Sequence, residues 1–218
     1  MFIIIVGAGG IGEALIEKFY SKTKKHTILV VDKDLDNCNR IAEKYDIIVI
    51  NGDATQSEVL DECEIEKADV LVTTLDSDSA NLLTISLAKN KNVKQFVSIA
   101  NREESIPLYM EKGVQIVRDP DSVMARHLHK AIDHPRVEES LLLTNEAEII
   151  SFTINPEIGP SEAFIQDIQL PEESLIISVL RDEKVFLPGK KDKLLSGDQI
   201  TVLTKSNLVD NIIELFLE

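Results

Sequence analysis

The chain has 218 residues, 44% of them hydrophobic, which is enough to bury one large core or two small ones. Its 38 acidic and 23 basic residues give a net charge of −15, which argues against DNA or RNA as a partner. The two cysteines, Cys38 and Cys63, lie far apart and in no C-x-x-C pair, so we expect a cytosolic protein without a disulfide framework or zinc site.

The N-terminal stretch joins an apolar run to a glycine-rich turn. Residues 2–6 predict a buried strand, and Gly7, Gly9 and Gly12 follow with G-x-G-x-x-G spacing. In that pattern the first glycine permits the tight turn, the second lets a pyrophosphate approach the backbone, and the third lets the next helix lie close to the sheet. That helix, predicted over 13–22, begins with free N–H groups that favour an anion.

A second apolar run, 27–31, ends in an acidic residue where a ribose ligand is expected. Asp32 lies 20 residues after Gly12, the separation at which dinucleotide-binding folds place the carboxylate for the ribose hydroxyls. Because a carboxylate repels a 2′-phosphate, Asp32 favours NAD(H) or another nucleotide with free ribose hydroxyls over NADP. The alternative is a glycine turn followed by an ordinary helix-capping Asp, and the coincidence of all these parts favours a binding site.

The strand and helix alternation then continues. The predicted elements are helix 34–45, strand 47–50, a helix from Thr55 to Cys63 opening with the capping box 55–58, strand 70–74, a helix around 82–88, strand 96–99, helix 103–112 and strand 115–117. Six such strands are typical of a Rossmann-type, doubly wound parallel sheet, whose ligand crevice lies at the carboxyl ends of the strands. The candidate site residues directly after strands are Asp32, Asp53, Thr74, Asp76, Asn101 and Arg102.

The pattern changes after Pro135. Asp119-Pro120 predicts the start of a helix that runs to about Ile132. Short strands are then predicted at 147–154, 175–180, 184–187 and 199–203, separated by turns such as Pro156 and Gly159-Pro160, and a helix near 208–216 closes the chain. We therefore predict a nucleotide-binding domain over 1–134 and a small α+β domain over 138–218.

Two modules of this size and order resemble the RCK proteins (KTN, or TrkA-N plus TrkA-C), cytosolic regulators of Trk/Ktr potassium uptake systems and of related potassium channels. The resemblance covers essentially the whole chain. It is carried by the glycine loop 7–12 and by the segments VVDKD at 30–34, NGDAT at 51–55, AD at 68–69, DSANL at 78–82, SIA at 98–100, DPD at 119–121 and LSGDQI at 195–200.

The resemblance implies a nucleotide site. By position, the phosphates would contact the loop residues Gly7, Ala8, Gly9, Gly10, Ile11 and Gly12. The adenosine ribose would contact Asp32, with Lys33 beside it, and the adenine edge would contact Asp53 and Ala54. Thr74 and Asn81 would line the crevice. Gly10 stands where some ATP-binding members carry a basic residue, and Asn101 where members often carry Arg, with Arg102 one place later. The implied ligand is NAD or NADH first, and ATP, ADP or AMP second.

The resemblance also implies an assembly. RCK domains dimerise around the linking helix, here about Asp119 to Ile132, and dimers assemble to a tetramer or octameric ring on an integral-membrane potassium channel or transporter subunit (TrkH/KtrB-like). The apolar residues of this helix would be buried between lobes or subunits, although packing onto their own sheet is the alternative; they are Val123, Met124, Leu128, Ala131 and Ile132. No apolar run approaches the roughly 20 residues of a membrane span, so we expect a cytoplasmic protein bound to the membrane's inner face only through its partner.

An NAD-dependent oxidoreductase is the rival function, since the fold does not fix the activity. It would need a proton donor beside the nicotinamide. The only Y-x-x-x-K spacing, Tyr20 to Lys24, lies at the end of the first helix and far from the crevice. Metal sites at the histidines 127, 129 and 134 or at Asp76 and Asp78 are less favoured than solvated and helix-capping roles. We therefore predict neither an enzyme nor a metal site.

Overall fold

The computed structural model describes residues 1–21, 26–143, 146–155 and 162–217. The chain forms two compact units, 1–123 and 124–218. The division falls inside a helix, α6 (Pro120–Asp133), and so precedes the boundary at 134–138 that the change of sequence pattern suggests.

The first unit alternates strands and helices from its first residue. Its elements are β1 (Phe2–Val6), α1 (Gly10–Ser21), β2 (Thr27–Asp32), α2 (Leu35–Lys44), β3 (Ile48–Asn51), α3 (Ser57–Glu62), β4 (Val70–Thr73), α4 (Asp78–Ala88), β5 (Gln95–Ala100), α5 (Ile106–Glu111) and β6 (Gln115–Arg118). All six strands are parallel, in the order β3-β2-β1-β4-β5-β6. The predicted Rossmann-type sheet is confirmed, and its strand order reverses between β1 and β4, where such folds bind ligands.

The central strand β1 is buried on both faces. Ile3 and Ile5 pack with Ile16 and Ile41 of the helices on one side, while side chains of opposite parity, such as Ile4, belong to the core on the other side. Successive side chains of a strand point to opposite faces, so an unbroken apolar run is what a doubly covered strand requires. This central position fixes where β1 ends and the glycine loop begins.

The second unit is a small α+β domain, as predicted. Its strands β7 (Glu139–Leu142), β8 (Ala147–Thr153), β9 (Leu175–Arg181), β10 (Lys184–Phe186) and β11 (Gln199–Lys205) form an antiparallel sheet in the order β10-β9-β11-β8-β7, and α7 (Val209–Leu217) follows. One face of the sheet packs against α7, with Phe152 and Phe216 at the centre of the core.

Three local predictions differ from the structure. The capping box at Thr55 is wrong: the Thr55 hydroxyl donates to Asp53 Oδ1 at 2.7 Å, and α3 begins at Ser57. Because the Thr55 hydroxyl is hydrogen-bonded to Asp53, it does not cap the N-terminus of the helix. Helix 103–112 is a 3₁₀ turn over 103–105 followed by α5, which has Pro107 in its first turn. Strand β7 was not predicted, because its sequence ESLL has too little alternation to be recognised.

The predicted end of the first helix at Lys22, the lysine of the Tyr20–Lys24 pair and the turns at Pro156 and Gly159-Pro160 lie outside the described residues.

A buried ion pair joins β9 to the turn before β11. The Asp198 side chain is 1% exposed and accepts hydrogen bonds from Nε and Nη2 of Arg181, each at 2.7 Å, and from the Leu195 N–H at 2.7 Å. Burial alone would raise the pKa of Asp198, but the Arg181 and Leu195 donors hold it below its usual value. A lowered pKa in the folded state stabilises the fold above the ordinary pKa of Asp, and this contribution disappears as the pH falls through the folded-state pKa.

We therefore expect Asp198→Ala to lower the free energy of unfolding by about 2–3 kcal/mol at pH 7, with the difference from wild type shrinking below about pH 4. Urea unfolding followed by circular dichroism at several pH values measures it. Glu172→Ala, which removes an exposed carboxylate from the same unit, is the control. A constant difference between pH 7 and pH 3 would contradict the assigned role of the charge.

Candidate functional site

A cavity of about 570 Å³ lies at the carboxyl ends of β1, β2, β3 and β4, where the strand order reverses. It is lined by Val6, Gly7, Gly9, Val31, Asp32, Lys33, Asp34, Asn37, Gly52, Asp53, Ala54, Thr55, Thr74, Leu75, Asp76, Ser77 and Ala80. Eight of the candidate site residues are thus brought together: Gly7, Gly9, Asp32, Lys33, Asp53, Ala54, Thr74 and Asp76.

The three glycines of the loop differ in how much space the structure leaves for a side chain. Gly7 has φ +103°, and a Cβ there would lie 2.7 Å from Thr74 Oγ1; a Cβ on Gly12 would lie 1.9 Å from the Gly7 carbonyl oxygen. The fold itself therefore requires glycine at both positions. A Cβ on Gly9 would meet no atom within 4 Å, so the chain's own packing does not require this glycine. Its open side borders the cavity, which leaves room for a ligand to approach the backbone.

Asp32 connects the end of β2 to the glycine loop. Its Oδ2 accepts the Ala8 N–H at 2.6 Å, and its Oδ1 accepts the Asp34 N–H at 2.8 Å. The residue is 8% exposed. An ionised carboxylate has about four acceptor positions, so two of them remain for the hydroxyls of a sugar.

The opposite wall is shaped by the turn after β3. The Asp53 carboxylate accepts hydrogen bonds from the Thr55 hydroxyl at 2.7 Å and from the Thr55 N–H at 2.9 Å. These two bonds lower the pKa of Asp53. The carbonyl of the buried Ala54 accepts the Thr84 hydroxyl at 3.3 Å. Asp53 is thus a fixed, charged acceptor at the cavity wall.

Thr74 and Asn81 support the loops around the cavity. The Thr74 hydroxyl lies 3.1 Å from the carbonyl oxygens of both Val6 and Gly7 and lines the cavity. Asn81 is fully buried, and its amide group bonds the N–H of Leu75 at 3.1 Å and the carbonyl of Leu75 at 2.9 Å. Asn81 therefore holds the Leu75 backbone from behind the cavity wall and does not line the cavity itself.

Other candidates lie outside the cavity lining: Ala8, Gly10, Ile11, Gly12, Asn101 and Arg102. The Arg102 guanidinium is exposed, 3.5 Å from Glu104, and the Arg102 N–H donates to Asp78 at 3.0 Å. The Asp78 carboxylate also accepts the N–H and side-chain amide of Asn101 and the hydroxyl of Tyr109. Although burial raises it, these donors hold the pKa of Asp78 below its usual value. Asp78 thus connects the start of α4 to the loop after β5 through hydrogen bonds within the protein. The described residues contain no group of three His, Cys, Asp or Glu that could hold a metal.

Several lining residues escaped the sequence prediction: Asp34, Asn37, Gly52, Thr55, Leu75, Ser77 and Ala80. Their common signal is adjacency to a predicted strand end or helix start; Asp34, for example, caps α2 by accepting the Asp36 N–H at 2.8 Å. Four carboxylates, those of Asp32, Asp34, Asp53 and Asp76, line the cavity with a single cation, Lys33. The electrostatic potential of the cavity therefore disfavours highly anionic ligands.

Arg40 was also missed, although it touches the glycine loop. Its Nη2 donates to the Ala8 carbonyl at 2.9 Å and its Nε to Glu13 at 3.0 Å, while Lys44 donates to the same Glu13 at 2.9 Å. Lys44 and then Arg40 lower the pKa of Glu13. The i, i+4 spacing of Arg40 and Lys44 places both cations on one face of α2, but the partner of that face is set by the tertiary fold.

Family models match both units. The TrkA-N domain matches residues 3–120 and the TrkA-C domain residues 163–217. The chain belongs to the TrkA-N family. An MLPTv-like helix-turn-helix model also matches residues 86–156, but in the structure this span contains β5 and β6 of the parallel sheet and β7 and β8 of the antiparallel one.

Similar curated proteins are named for potassium uptake. The Trk system potassium uptake protein TrkA homolog of Pyrococcus abyssi is 27% identical over 220 residues, which cover 97% of this chain and 96% of that protein. The TrkA homolog 2 of Methanosarcina mazei is 26% identical, over 98% of this chain and 48% of that protein. The chain thus spans nearly all of the first relative and about half of the second.

Solved structures share the fold. The GsuK channel has a TM-score of 0.65 at 18% identity, covering 100% of this chain and 39% of that chain. The TrkA-N domain of the inner membrane protein ybaL from Escherichia coli has a TM-score of 0.53 at 20% identity, over 60% of this chain and 96% of that domain. The relatives are named as transport and channel proteins, which confirms the predicted RCK family and the prediction that the chain is not an enzyme. No helix among the described residues is both long and apolar enough to cross a membrane.

The glycine geometry predicts that two alanine substitutions in the loop differ strongly in their effect on stability. Gly12→Ala places a methyl group against the Gly7 carbonyl and should lower the free energy of unfolding by about 3 kcal/mol. Gly9→Ala meets open space and should change it by no more than about 0.5 kcal/mol. Urea denaturation followed by circular dichroism compares them. Gly10→Ala, also open, is the control, and equal destabilisation by Gly9→Ala and Gly12→Ala would contradict the assignment.

Proposed function

We propose that this chain is a regulatory subunit of a potassium transport system that senses NAD(H) in the crevice of its first unit. The observation that carries the proposal is the cavity itself. It lies at the switch point of the sheet, its loop keeps an open glycine at Gly9, and a carboxylate with free acceptor positions, Asp32, lies beside that loop. Such a site binds a nucleotide by its phosphate and its ribose.

The phosphates and the adenosine half of a dinucleotide have counterparts in this crevice. The phosphates fit against the loop from Gly7 to Gly12 and the N-terminus of α1, whose N–H groups and dipole favour an anion. The adenosine ribose fits Asp32, and the adenine edge fits the Asp53–Ala54 turn. In support, a structural neighbour with a TM-score of 0.63 and 18% identity is described as the GsuK channel bound to NAD.

Charge favours NAD(H) over more anionic nucleotides. The carboxylates of Asp32, Asp34, Asp53 and Asp76 face the cavity. Two like charges about 5 Å apart repel by about 3 kcal/mol at an effective dielectric constant of 20. The extra phosphate of NADPH and the triphosphate of ATP each add negative charge near these groups, whereas ADP and AMP add less than ATP. NAD(H) is therefore the first ligand and ADP or AMP the second.

Binding can regulate a membrane partner only if the ligand prefers one arrangement of the protein. We propose that this arrangement is a homo-oligomer on the cytosolic face of a potassium channel or transporter subunit, built on dimers and extended to a ring. The names of the relatives and the match of the chain to channel RCK domains support this proposal.

Helix α6 supplies a surface for the second copy. None of its described residues is buried, and Met124, Leu128 and Ile132, spaced four residues apart on one face, are 59%, 60% and 78% exposed. A helix that keeps three large apolar side chains in water in a single chain is typical of an interface. We therefore favour an interface over the alternative for these residues, packing onto their own sheet. A two-fold dimer would pair the face with itself.

The ligand is tested by isothermal titration of the full chain with NADH, NADPH and ATP. We expect NADH to bind tightest. Asp32→Ala should weaken NADH binding by about tenfold or more, because one or two charge-assisted hydrogen bonds of about 1.5–3 kcal/mol each are lost. Asp36→Ala removes the same charge from an exposed residue outside the cavity lining and should leave the affinity unchanged. A preference for NADPH, or an Asp32→Ala variant that binds like wild type, would contradict the ribose assignment.

The assembly is tested by multi-angle light scattering at micromolar concentration. Leu128→Asp should shift the chain towards monomer, because it places a charge in the apolar interface. Leu187→Asp changes an 82% exposed leucine elsewhere in the second unit and should leave the mass unchanged. A wild-type chain that stays monomeric with and without NADH would remove this mechanism even if NADH binds.

A further inference from the structure

Side chains hold two consecutive peptide groups of the glycine loop. In the Gly7–Ala8 peptide, the carbonyl accepts the Thr74 hydroxyl at 3.1 Å and the N–H donates to Asp32 at 2.6 Å. In the next peptide, Ala8–Gly9, the carbonyl accepts Nη2 of Arg40 at 2.9 Å. The first peptide is held from within the cavity lining, whereas Arg40 is outside that lining.

The Arg40 contact determines where the Gly9 N–H points. A trans peptide is planar, and its C=O and N–H bonds are antiparallel; the described backbone has no cis bonds. Holding the Ala8 carbonyl towards Arg40 therefore directs the Gly9 N–H away from Arg40. Because Gly9 lines the cavity and Arg40 does not, this direction leads to the cavity side of the loop. A carbonyl bonded to a cation also polarises its peptide group, which makes the N–H a stronger donor.

Arg40 is itself held in place. Its Nε donates to Glu13 Oε2 at 3.0 Å, and the planar guanidinium can serve Glu13 and the Ala8 carbonyl at once. The Glu13 side chain is only 22% exposed, and the Glu13 N–H donates to the Gly9 carbonyl at 2.8 Å. Helix α2 thus reaches the loop through Arg40, and the first turn of α1 reaches it through Glu13.

We propose that Arg40 is a positioning residue of the nucleotide site: it holds the Ala8 carbonyl so that the Gly9 N–H is presented to the phosphate of a bound nucleotide, without touching the ligand. This inference rests on the proposed NAD(H) site. It assigns the orientation of the phosphate loop to a side chain from the second helix. A ligand without phosphate does not use the Gly9 N–H, so its affinity is independent of Arg40.

The chain offers a matched pair of variants. Arg40→Met keeps most of the aliphatic stem and removes the donors to Ala8 and Glu13. Lys44→Met removes a cation of the same helix that is bonded to the same Glu13 at 2.9 Å and that, among the described residues, makes no hydrogen bond to the glycine loop. Both variants change the net charge by the same amount, so a difference between them reports the contact to the Ala8 carbonyl.

The first measurement is binding of NAD⁺ and of adenosine to both full-length variants. Arg40→Met should weaken NAD⁺ binding by roughly tenfold, which is the effect of losing one well-oriented hydrogen bond from the Gly9 N–H to a charged phosphate. The same variant should change adenosine binding by less than about twofold. Lys44→Met should change neither by more than about twofold. Equal losses in the two variants, equal losses for NAD⁺ and adenosine, or no loss of NAD⁺ binding in Arg40→Met would each overturn the positioning role.

A second measurement needs no ligand and separates this inference from the proposed function. Amide hydrogen exchange of the ligand-free chain should be faster at Ala8, whose N–H is bonded to Asp32, in Arg40→Met than in Lys44→Met, because the loop loses one of its anchors. Unchanged exchange at this amide would refute the inference whatever the wild type binds. A wild type that binds neither NAD⁺ nor adenosine, with faster exchange in Arg40→Met, would instead refute the nucleotide site and keep only the loop contact.

Discussion

The hydrogen bond from the Ala8 N–H to Asp32 Oδ2 is the interaction on which the geometry of the crevice depends. It joins the turn after β1 to the end of β2. These two strands are neighbours in the sheet, but the backbone pairing of the sheet does not connect the loops that follow them. The bond is buried, so it is little weakened by solvent, and it uses a carboxylate that also faces the cavity. Asp32 therefore has a structural role and a proposed ligand role at the same time, and the phosphate and ribose ends of the site share one residue.

This arrangement explains how an acidic crevice can suit an anionic ligand. The only cation in the lining is Lys33, and the chain as a whole carries a net charge of −15. Phosphates must then be met by backbone N–H groups at the start of α1 rather than by side-chain cations. Backbone donors are useful only when their peptide groups are fixed, and here Thr74, Asp32 and Arg40 fix them from three directions. The long-range repulsion that remains is the basis of the proposed preference for ligands with less phosphate charge.

Much of the first unit could be predicted from the sequence because its information is local. An apolar run as short as 2–6, ended by a glycine-rich turn, predicts a doubly buried strand. The spacing of Gly7, Gly9 and Gly12 predicts a turn, and the structure shows a steric need for glycine at two of the three positions. What could not be predicted depends on contacts between distant segments. Arg40 meets Ala8 across 32 residues, and β7 is a strand only because β8 pairs with it. Such contacts have no periodic signal.

The same distinction separates residues that face the cavity from those that hold its walls. Asn81 and Asn101 both follow the expected pattern of polar residues near strand ends, yet their amide groups bond the backbone of Leu75, and Asp78 holds Asn101 in turn. These groups are satisfied by the protein, so a ligand could use them only by breaking existing bonds. A sequence pattern identifies the neighbourhood of a site, whereas the hydrogen-bond inventory decides which members remain available. By that criterion Asp32 is available for a further bond, and Asn81 is not.

Three titratable groups in and behind the crevice wall, Asp53, Asp78 and Tyr109, keep a constant charge near neutral pH. Hydrogen bonds lower the pKa of Asp53 and of Asp78, which therefore stay ionised, while burial raises the pKa of Tyr109 to about 12 and keeps its hydroxyl protonated. General acid–base catalysis works best with a group whose pKa lies near the working pH, and each of these shifts moves a group away from that range. None of these three groups therefore changes its charge near neutral pH, and none of them makes the affinity for a ligand depend on pH there. In the proposed nucleotide sensor, this constancy would let occupancy report the concentration of the ligand.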